Sequence, residues 1–127
     1  MRPTRPGLDP GRRQRASYRR SARTDAVDWF GLQYYFHCRV KVAPFRNAFE
    51  RRSDLGWELY PQGHAPLLRE IARFGKPVYV TESGLADRHD RHRAWYIAES
   101  LRSIAEAVHD GVDCRGYFHW TLTDNFE

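Results

Sequence analysis

The sequence has 127 residues, a formal net charge of +5 and an apolar fraction of 41%. This length suffices for one domain of about 100–150 residues. No apolar run approaches the roughly 20 residues that cross a membrane, and the N-terminus lacks the apolar stretch of a signal peptide. Two cysteines, Cys38 and Cys114, do not make a disulfide framework. These features predict a cytoplasmic protein with no membrane partner.

The net positive charge comes from the start of the chain. Residues 1–24 contain eight arginines and a single acid, Asp9, so residues 25–127 carry a net negative charge. With no apolar period, residues 1–24 are predicted to be a disordered Arg-rich leader, separate from the unit formed by residues 25–127. A transit peptide, a nucleic-acid-binding arm and a segment without selected function all fit it. Because Tyr18 is its sole aromatic residue, binding to nucleic acid is disfavoured.

The first predicted elements are a strand, a loop and a helix. Residues 28–35 form a short apolar and aromatic run typical of a buried strand, and residues 36–60 form a long polar loop. Pro61 is well placed to start a helix that ends at Gly75. Its apolar positions recur at helical spacing: Leu67, Leu68, Ile71 and Phe74.

A second strand is predicted over 77–82, a second helix over 91–109 and a third strand over 115–120. The second helix is expected to bury one apolar stripe formed by Ala94, Trp95, Ile97, Ala98, Leu101, Ile104, Ala105 and Val108. The β-α-β-α-β order predicts right-handed crossovers and a parallel sheet. That order fits a doubly wound sheet as well as a barrel.

The carboxyl ends of parallel strands are where functional groups gather. These ends carry Gln33, Tyr34, Tyr35, Thr81, Glu82, His119 and Trp120. Glu82, an acid that ends an apolar strand, could cap the following turn or pair with a surface arginine. These roles are the more common ones for a lone acid at a strand end. The alternative is a carboxylate held in a cleft beside a phenol and aromatic rings, an arrangement suited to sugar chemistry.

Three segments resemble motifs of glycoside hydrolase family 1 in the expected order. YVTESGLAD (79–87) is similar to the nucleophile motif, DGVDCRGYFHWTLTDNFE (110–127) to the strand-eight signature and DWFGLQYY (28–35) to the strand-six segment. The resemblance implies an α/β fold corresponding to strands 6–8 of a (β/α)8 TIM barrel. Since such a barrel needs about 250 residues, the chain is interpreted as a C-terminal fragment.

The resemblance also implies residue roles. Glu82 corresponds to the nucleophile of a retaining β-glycosidase and Tyr35 to the tyrosine that orients it. Trp120 matches the tryptophan beneath the sugar, and Glu127 the acid that binds its outer hydroxyls. Gln33 replaces the usual Asn of the strand-six segment, among the substrate-binding positions, and Ser83 replaces the Asn that usually follows the nucleophile.

The general acid has no counterpart in the sequence. In the family it lies in an Asn-Glu-Pro motif, and no Glu here is followed by Pro. We therefore expect a hydrolase by family, acting on a β-linked glucoside or galactoside, but inactive as an isolated chain. A non-catalytic sugar-binding remnant is the alternative. No cofactor is expected because there is no phosphate loop, and His89 and His92 lack the further ligands of a zinc site.

Overall fold

The computed structural model describes residues 26–37 and 51–123. The strands are β1 (Phe30–Gln33), β2 (Val78–Gly84) and β3 (Cys114–Trp120). A 3-10 turn over Pro61–Gly63 leads into helix α1 (His64–Ala72), and helix α2 spans Arg93–His109. The predicted leader over 1–24, Cys38 and Glu127 lie outside the described residues.

The three strands form one parallel sheet in the order β1-β2-β3, as predicted. Phe30 is level with Val78 on one side, and Val78 is level with Cys114 on the other. The polypeptide crosses from β1 to β2 through a loop and α1, and from β2 to β3 through α2. Parallel strands require crossover connections of this kind. Within the described residues, β2 has a partner on both sides, whereas β1 and β3 are the edges of the sheet.

The main core lies between this sheet and the two helices. Its fully buried centre consists of Val78 and Val80 from β2 and Leu68 from α1. Ile104 and Ala107 of α2 pack against the same cluster. Because β2 is covered on this face by both helices, its apolar side chains fix the position of the strand that carries Glu82.

Both helices end at a glycine with a positive φ, as the sequence predicts. Gly75 follows α1 with φ of 69°, and Gly111 follows α2 with φ of 92°. Side chains with a Cβ rarely adopt this conformation, so glycine terminates each helix at low cost. The chain is thereby turned back towards the start of the next strand.

The predicted apolar stripe of α2 is wrong in phase. The buried positions are Tyr96, Ser100, Ser103, Ile104 and Ala107, so Ile104 is the sole member of the predicted stripe that is buried. One reason is that Ser103 of this face finds partners within the protein. The Ser103 hydroxyl accepts a hydrogen bond from the Ala65 N–H and donates one to the Gln62 carbonyl, at 3.0 and 3.1 Å.

Several apolar side chains of α2 consequently point away from the core. Leu101 and Val108 are 47% and 45% exposed. The corresponding positions in α1 show the same pattern on a smaller scale, since Leu68 is fully buried and its neighbour Leu67 is 38% exposed. Within the described residues, the outer surfaces of the two helices are thus partly apolar.

Candidate active site

Strand β2 contains one extra residue at the position of the site. Leu32 and Gln33 are consecutive in β1 but lie level with Val80 and Glu82 of β2. On the other side, Val80 and Ser83 lie level with Tyr117 and His119, which are two residues apart. Both ladders therefore shift by one residue in the same stretch. Such a bulge changes the direction in which the following side chains point.

The bulge places the side chains of Glu82 and Ser83 in different surroundings, one accessible and the other buried. Val78, Val80 and Ser83 are buried, whereas Thr81 and Glu82 are half-buried. An uninterrupted strand would alternate every second residue, so residue 83 would fall on the opposite face from residue 80. The extra residue brings Ser83 to the packed side and leaves the Glu82 carboxylate at the accessible end of the strand.

Each oxygen of the Glu82 carboxylate accepts a hydrogen bond from the end of β1 or from the segment just after it. The Gln33 Nε2–H donates to Oε1 and the Tyr35 hydroxyl donates to Oε2, both at 2.7 Å. The Tyr34 N–H also donates to the Glu82 carbonyl at 3.0 Å. Two donors on two oxygens fix the plane of the carboxylate, while a lone pair remains on each oxygen. The group is thus oriented without being blocked.

Aromatic side chains border this carboxylate on the side of β1. Tyr35 meets Trp57 edge to face at 6.3 Å between ring centroids, and Phe36 stacks on Trp57 at 4.6 Å. Trp57 and Phe36 are partly exposed. Trp57 lies in the stretch that was predicted to be a polar loop, and it was not predicted as a site residue. The signal was weak, because a tryptophan in a stretch with no apolar period has no face assigned to it.

Strand β3 brings Trp120 to the same edge of the sheet. Trp120 lies level with Gly84, and the two backbones are so close that a Cβ on residue 84 would lie 1.7 Å from the Trp120 carbonyl oxygen. Glycine is therefore needed at position 84 for this approach. The Trp120 side chain is partly exposed. The adjacent His119 forms a hydrogen bond through Nδ1 with the Tyr117 hydroxyl at 3.2 Å. Burial lowers the pKa of His119, and the nearby charge of Arg93 lowers it further.

The loop after β2 is held by two aspartates. Asp87, which is buried, accepts hydrogen bonds from the His92 and Arg93 N–H groups at 2.6 and 3.2 Å, at the start of α2. Burial would raise the pKa of Asp87, but these backbone donors bring it below its ordinary value. Asp54 accepts from the Arg88 N–H at 2.5 Å. Neither aspartate was singled out from the sequence.

A cleft of about 770 Å³ opens between these elements. It shares Tyr35 and Trp120 with the site and is bordered by Trp57, but Glu82 does not line it. The remaining wall comes from the loop after β2 and from the turn at Asp54. The cleft therefore lies beside the carboxylate and is bounded by flat aromatic faces together with charged groups, a combination suited to sugar C–H surfaces and hydroxyls.

The predicted site residues are brought together to different degrees. Glu82, Tyr35 and Gln33 are in direct contact. Gln33 was predicted among the substrate-binding residues, and its side-chain amide donates a hydrogen bond to the Glu82 carboxylate. Trp120 lines the same cleft as Tyr35. Glu127 lies outside the described residues.

Residues 26–37 and 51–123 contain no group of three or more potential metal ligands. His89 and His92 thus have no third ligand there. In the same part of the chain, no helix is long and apolar enough to cross a membrane.

A parallel α/β sheet with a doubly hydrogen-bonded carboxylate at its carboxyl edge defines the class, and comparison with known proteins defines the family. The profile of glycosyl hydrolase family 1 matches residues 18–127. The chain belongs to glycosyl hydrolase family 1.

Relatives in this family come from archaea and bacteria. A β-galactosidase of Pyrococcus woesei is 52% identical over 75 residues, covering 59% of this chain and 15% of the relative. A β-galactosidase of Sulfolobus acidocaldarius is 36% identical over 119 residues, covering 80% of this chain and 24% of the relative. The chain thus spans about a quarter or less of the length of these relatives.

Solved structures agree with this assignment. A β-glycosidase from Pyrococcus horikoshii superposes with a TM-score of 0.68 at 34% identity, covering 79% of this chain and 26% of that one. The β-glucosidase of Thermotoga maritima in complex with glucoimidazole superposes with a TM-score of 0.70 at 32% identity, covering 80% and 27%. The fold is therefore that of part of a (β/α)8 barrel, corresponding to its last three strands as the sequence motifs predicted.

Proposed function

We propose that Glu82 is the nucleophile of a retaining β-glycosidase and that this chain supplies that half of the active site. The observation that carries the proposal is the pair of 2.7 Å hydrogen bonds from Gln33 and Tyr35 to the two oxygens of Glu82. A nucleophilic carboxylate must present one oxygen to the anomeric carbon in a fixed direction. Two donors, Gln33 at the end of β1 and Tyr35 just after it, provide that direction.

The chemistry requires a second carboxyl group. In the first step a Glu82 oxygen bonds to the anomeric carbon while the bond to the leaving oxygen breaks, and a carboxylic acid about 5–5.5 Å away protonates that oxygen. In the second step water releases the sugar with retention of configuration. The segment matched here contains the nucleophile motif but no Asn-Glu-Pro motif. The proposal is therefore that residues 25–127 act together with a barrel portion that provides the acid.

The substrate class proposed is a β-linked glucoside or galactoside. Both kinds of enzyme name occur among the relatives, with β-galactosidases from Sulfolobus and β-glucosidases from Thermotoga. The partly exposed ring of Trp120 is proposed to lie beneath the sugar, and Glu127 to bind its outer hydroxyls. Tyr35 and Gln33 are proposed to hold the nucleophile, with Gln33 also near enough to the carboxylate to meet the sugar bound there.

The test replaces the matching segment of β-glucosidase A from Thermotoga maritima with residues 25–127, which gives a chimera with a complete barrel. The relative is 33% identical over 121 residues. The chimera should hydrolyse an activated aryl β-glucoside with retention. Glu82→Gln keeps the shape and removes the nucleophilic charge, so the rate should fall by several orders of magnitude.

The matched control is Glu70→Gln, because Glu70 is an exposed helix glutamate paired with Arg73 and remote from the sheet edge. It should hydrolyse the substrate at the rate of the parent chimera. A Glu82→Gln chimera as active as the parent would show that Glu82 is not the nucleophile. Binding of the glucoside without hydrolysis by an otherwise folded parent would favour the sugar-binding remnant instead.

A further inference from the structure

Three buried polar side chains lie beneath the Glu82 strand end. Ser83, His64 and Tyr96 are fully buried and belong to β2, α1 and α2 respectively. The Ser83 Oγ lies 3.1 Å from His64 Nε2 and 3.2 Å from the Tyr96 hydroxyl. Ser83 directly follows Glu82 and stands where the family motif usually has Asn. Buried polar groups are expensive unless they are paired, so a complete chain of partners at this position calls for a reason.

The direction of each hydrogen bond in this chain can be deduced. His64 Nδ1 lies 2.8 Å from the Pro61 carbonyl oxygen, which can only accept, so Nδ1 carries the proton. Burial lowers the pKa of His64 and the hydrogen bond to Pro61 offsets this only in part, so the ring is neutral and Nε2 is an acceptor. The Ser83 hydroxyl therefore donates to Nε2, and the Tyr96 hydroxyl donates to Ser83.

At its other end, this series of hydrogen bonds extends from Tyr96 to the segment that follows β1. The Tyr96 hydroxyl lies 3.4 Å from the Tyr35 carbonyl oxygen, so its proton is shared between Ser83 and Tyr35. Burial raises the pKa of Tyr96 to about 12, which keeps the hydroxyl protonated as a donor. These hydrogen-bonded side chains thus contact the site at two points. One is Ser83, the neighbour of Glu82 in β2, and the other is the backbone of Tyr35, whose hydroxyl donates to Glu82.

The bulge explains why such an anchor is needed. Residue 81 has no level partner in β1, and residues 81 and 82 have none in β3, so the regular pairing that fixes a central strand is interrupted beside the proposed nucleophile. Ser83 is the first residue after the shift whose side chain is buried. A hydrogen bond from its hydroxyl to α1 and another from α2 hold the strand end in place of the missing ladder contacts.

We propose that His64, Ser83 and Tyr96 are positioning residues for Glu82, acting as a side-chain anchor for the bulged strand end. This inference rests on the proposed function. None of the three lines the cleft beside Glu82, so their loss should lower kcat and leave KM almost unchanged. Removal of one neutral hydrogen bond to the anchor should slow turnover by about 2-fold to 13-fold.

The test uses the chimera with the complete barrel and three variants: Ser83→Ala, His64→Leu and the double variant. Each single variant leaves a buried partner unsatisfied and should lower the thermal midpoint. The double variant replaces both partners by apolar groups, which can be nearly neutral for stability. Its midpoint should therefore return towards that of the parent while kcat stays low, because the anchor is still absent.

Ser103→Ala is the matched control. Ser103 is likewise a buried serine with two hydrogen bonds, but its partners are Ala65 and Gln62 at the start of α1. It should lower the thermal midpoint as Ser83→Ala does and keep the parent kcat. The rate of covalent trapping of Glu82 by a 2-deoxy-2-fluoro aryl glucoside should fall in parallel with kcat for the Ser83 and His64 variants alone.

Two results would overturn the inference. One is a Ser83→Ala variant with the parent kcat. The other is a double variant in which kcat recovers together with the thermal midpoint. That result would show that the hydrogen bonds among His64, Ser83 and Tyr96 serve stability alone. The Glu82→Gln variant separates these outcomes from failure of the proposed function. If Glu82→Gln retains the parent rate, or the parent is inactive, the proposed function fails and the inference falls with it; if Glu82→Gln is inactive and Ser83→Ala fully active, the inference alone fails.

Discussion

The two faces of the sheet differ in how completely this chain covers them. On the helix side, Val78, Val80 and Leu68 have no exposed surface. On the other side, Trp29 meets Tyr79 edge to face, and Phe118 remains 59% exposed. Folded monomers rarely leave large aromatic side chains exposed together on a sheet face. The described residues therefore cover one face of the sheet and leave large aromatic side chains exposed on the other.

This difference separates stability from chemistry. The covered face holds the strands in place, and the proposed nucleophile lies at the carboxyl edge, next to the uncovered face. In a closed barrel the inner face is filled by side chains from all strands. Among residues 26–37 and 51–123, β1 and β3 each have one unpaired edge. These edges, together with the exposed aromatic side chains, predict self-association of the 127-residue chain. The following substitutions test whether the two faces differ in this way.

The largest effect on the stability of the chain is expected from Leu68→Ala. Leu68 is fully buried in the helix-side core, so its truncation leaves a cavity and should cost about 3 kcal/mol. Leu67→Ala is the control, because Leu67 is partly exposed on the same helix and should lose well under half as much. Urea unfolding followed by circular dichroism measures both. Equal losses would show that this face is not packed as described.

A smaller loss is expected from Asp87→Ala. This carboxylate accepts the N–H groups of His92 and Arg93 at the start of α2, and removal of such an acceptor costs about 1–2 kcal/mol. Asp113→Ala serves as the control, since Asp113 is exposed and pairs with Arg115. The difference in urea midpoint between the two variants measures the effect. Identical midpoints would mean that Asp87 does not stabilise the loop beside the site.

The stability of the protein should depend on pH through the buried imidazole of His64. Burial holds the pKa of His64 below its unfolded value of about 6.5, so its contribution is complete above that pH and is lost as pH falls through the folded pKa. The phenols of Tyr34, Tyr96 and Tyr117 face it or its partner, and their raised pKa values keep them neutral. Asp87 has a lowered pKa, so its contribution is lost only in more acidic solution.

Thermal midpoints at pH 7.5, 6.5 and 5.5 test this expectation. The midpoint should fall on going from pH 6.5 to 5.5, and His64→Leu should flatten that part of the profile. His119, whose pKa is also lowered by burial, remains in the variant and accounts for any residual slope. A profile unchanged by His64→Leu would contradict a buried neutral imidazole.

The smallest effect on the stability of the chain is expected from Phe118→Ser. Because this ring is largely exposed, its loss should change the free energy of unfolding by no more than about 0.5 kcal/mol. Self-association, measured by sedimentation velocity, should decrease. In the chimera, where the barrel is complete, the same substitution should destabilise the protein clearly. A similar small effect in both contexts would show that the rest of the barrel does not cover this face.

Much of the architecture follows from local patterns. The apolar runs before Glu82 and Trp120, the helical spacing around Leu68 and the glycines at 75 and 111 predicted the order and type of every main element. Those features depend on backbone propensity and on period, which are properties of neighbouring residues. The phase of α2 could not be obtained in this way, because Ser103 is buried through partners 38 and 41 positions away.

For the site, the sequence by itself determined the residue types and their order: an acid after an apolar strand, tyrosines at the end of another and a tryptophan at the end of a third. The tertiary structure decided how they act on one another. The extra residue in β2 turns Glu82 towards Gln33 and Tyr35 and places Ser83 against His64 and Tyr96. Register between strands and the pairing of distant polar groups are set by packing across the whole sheet, and a linear pattern does not contain them.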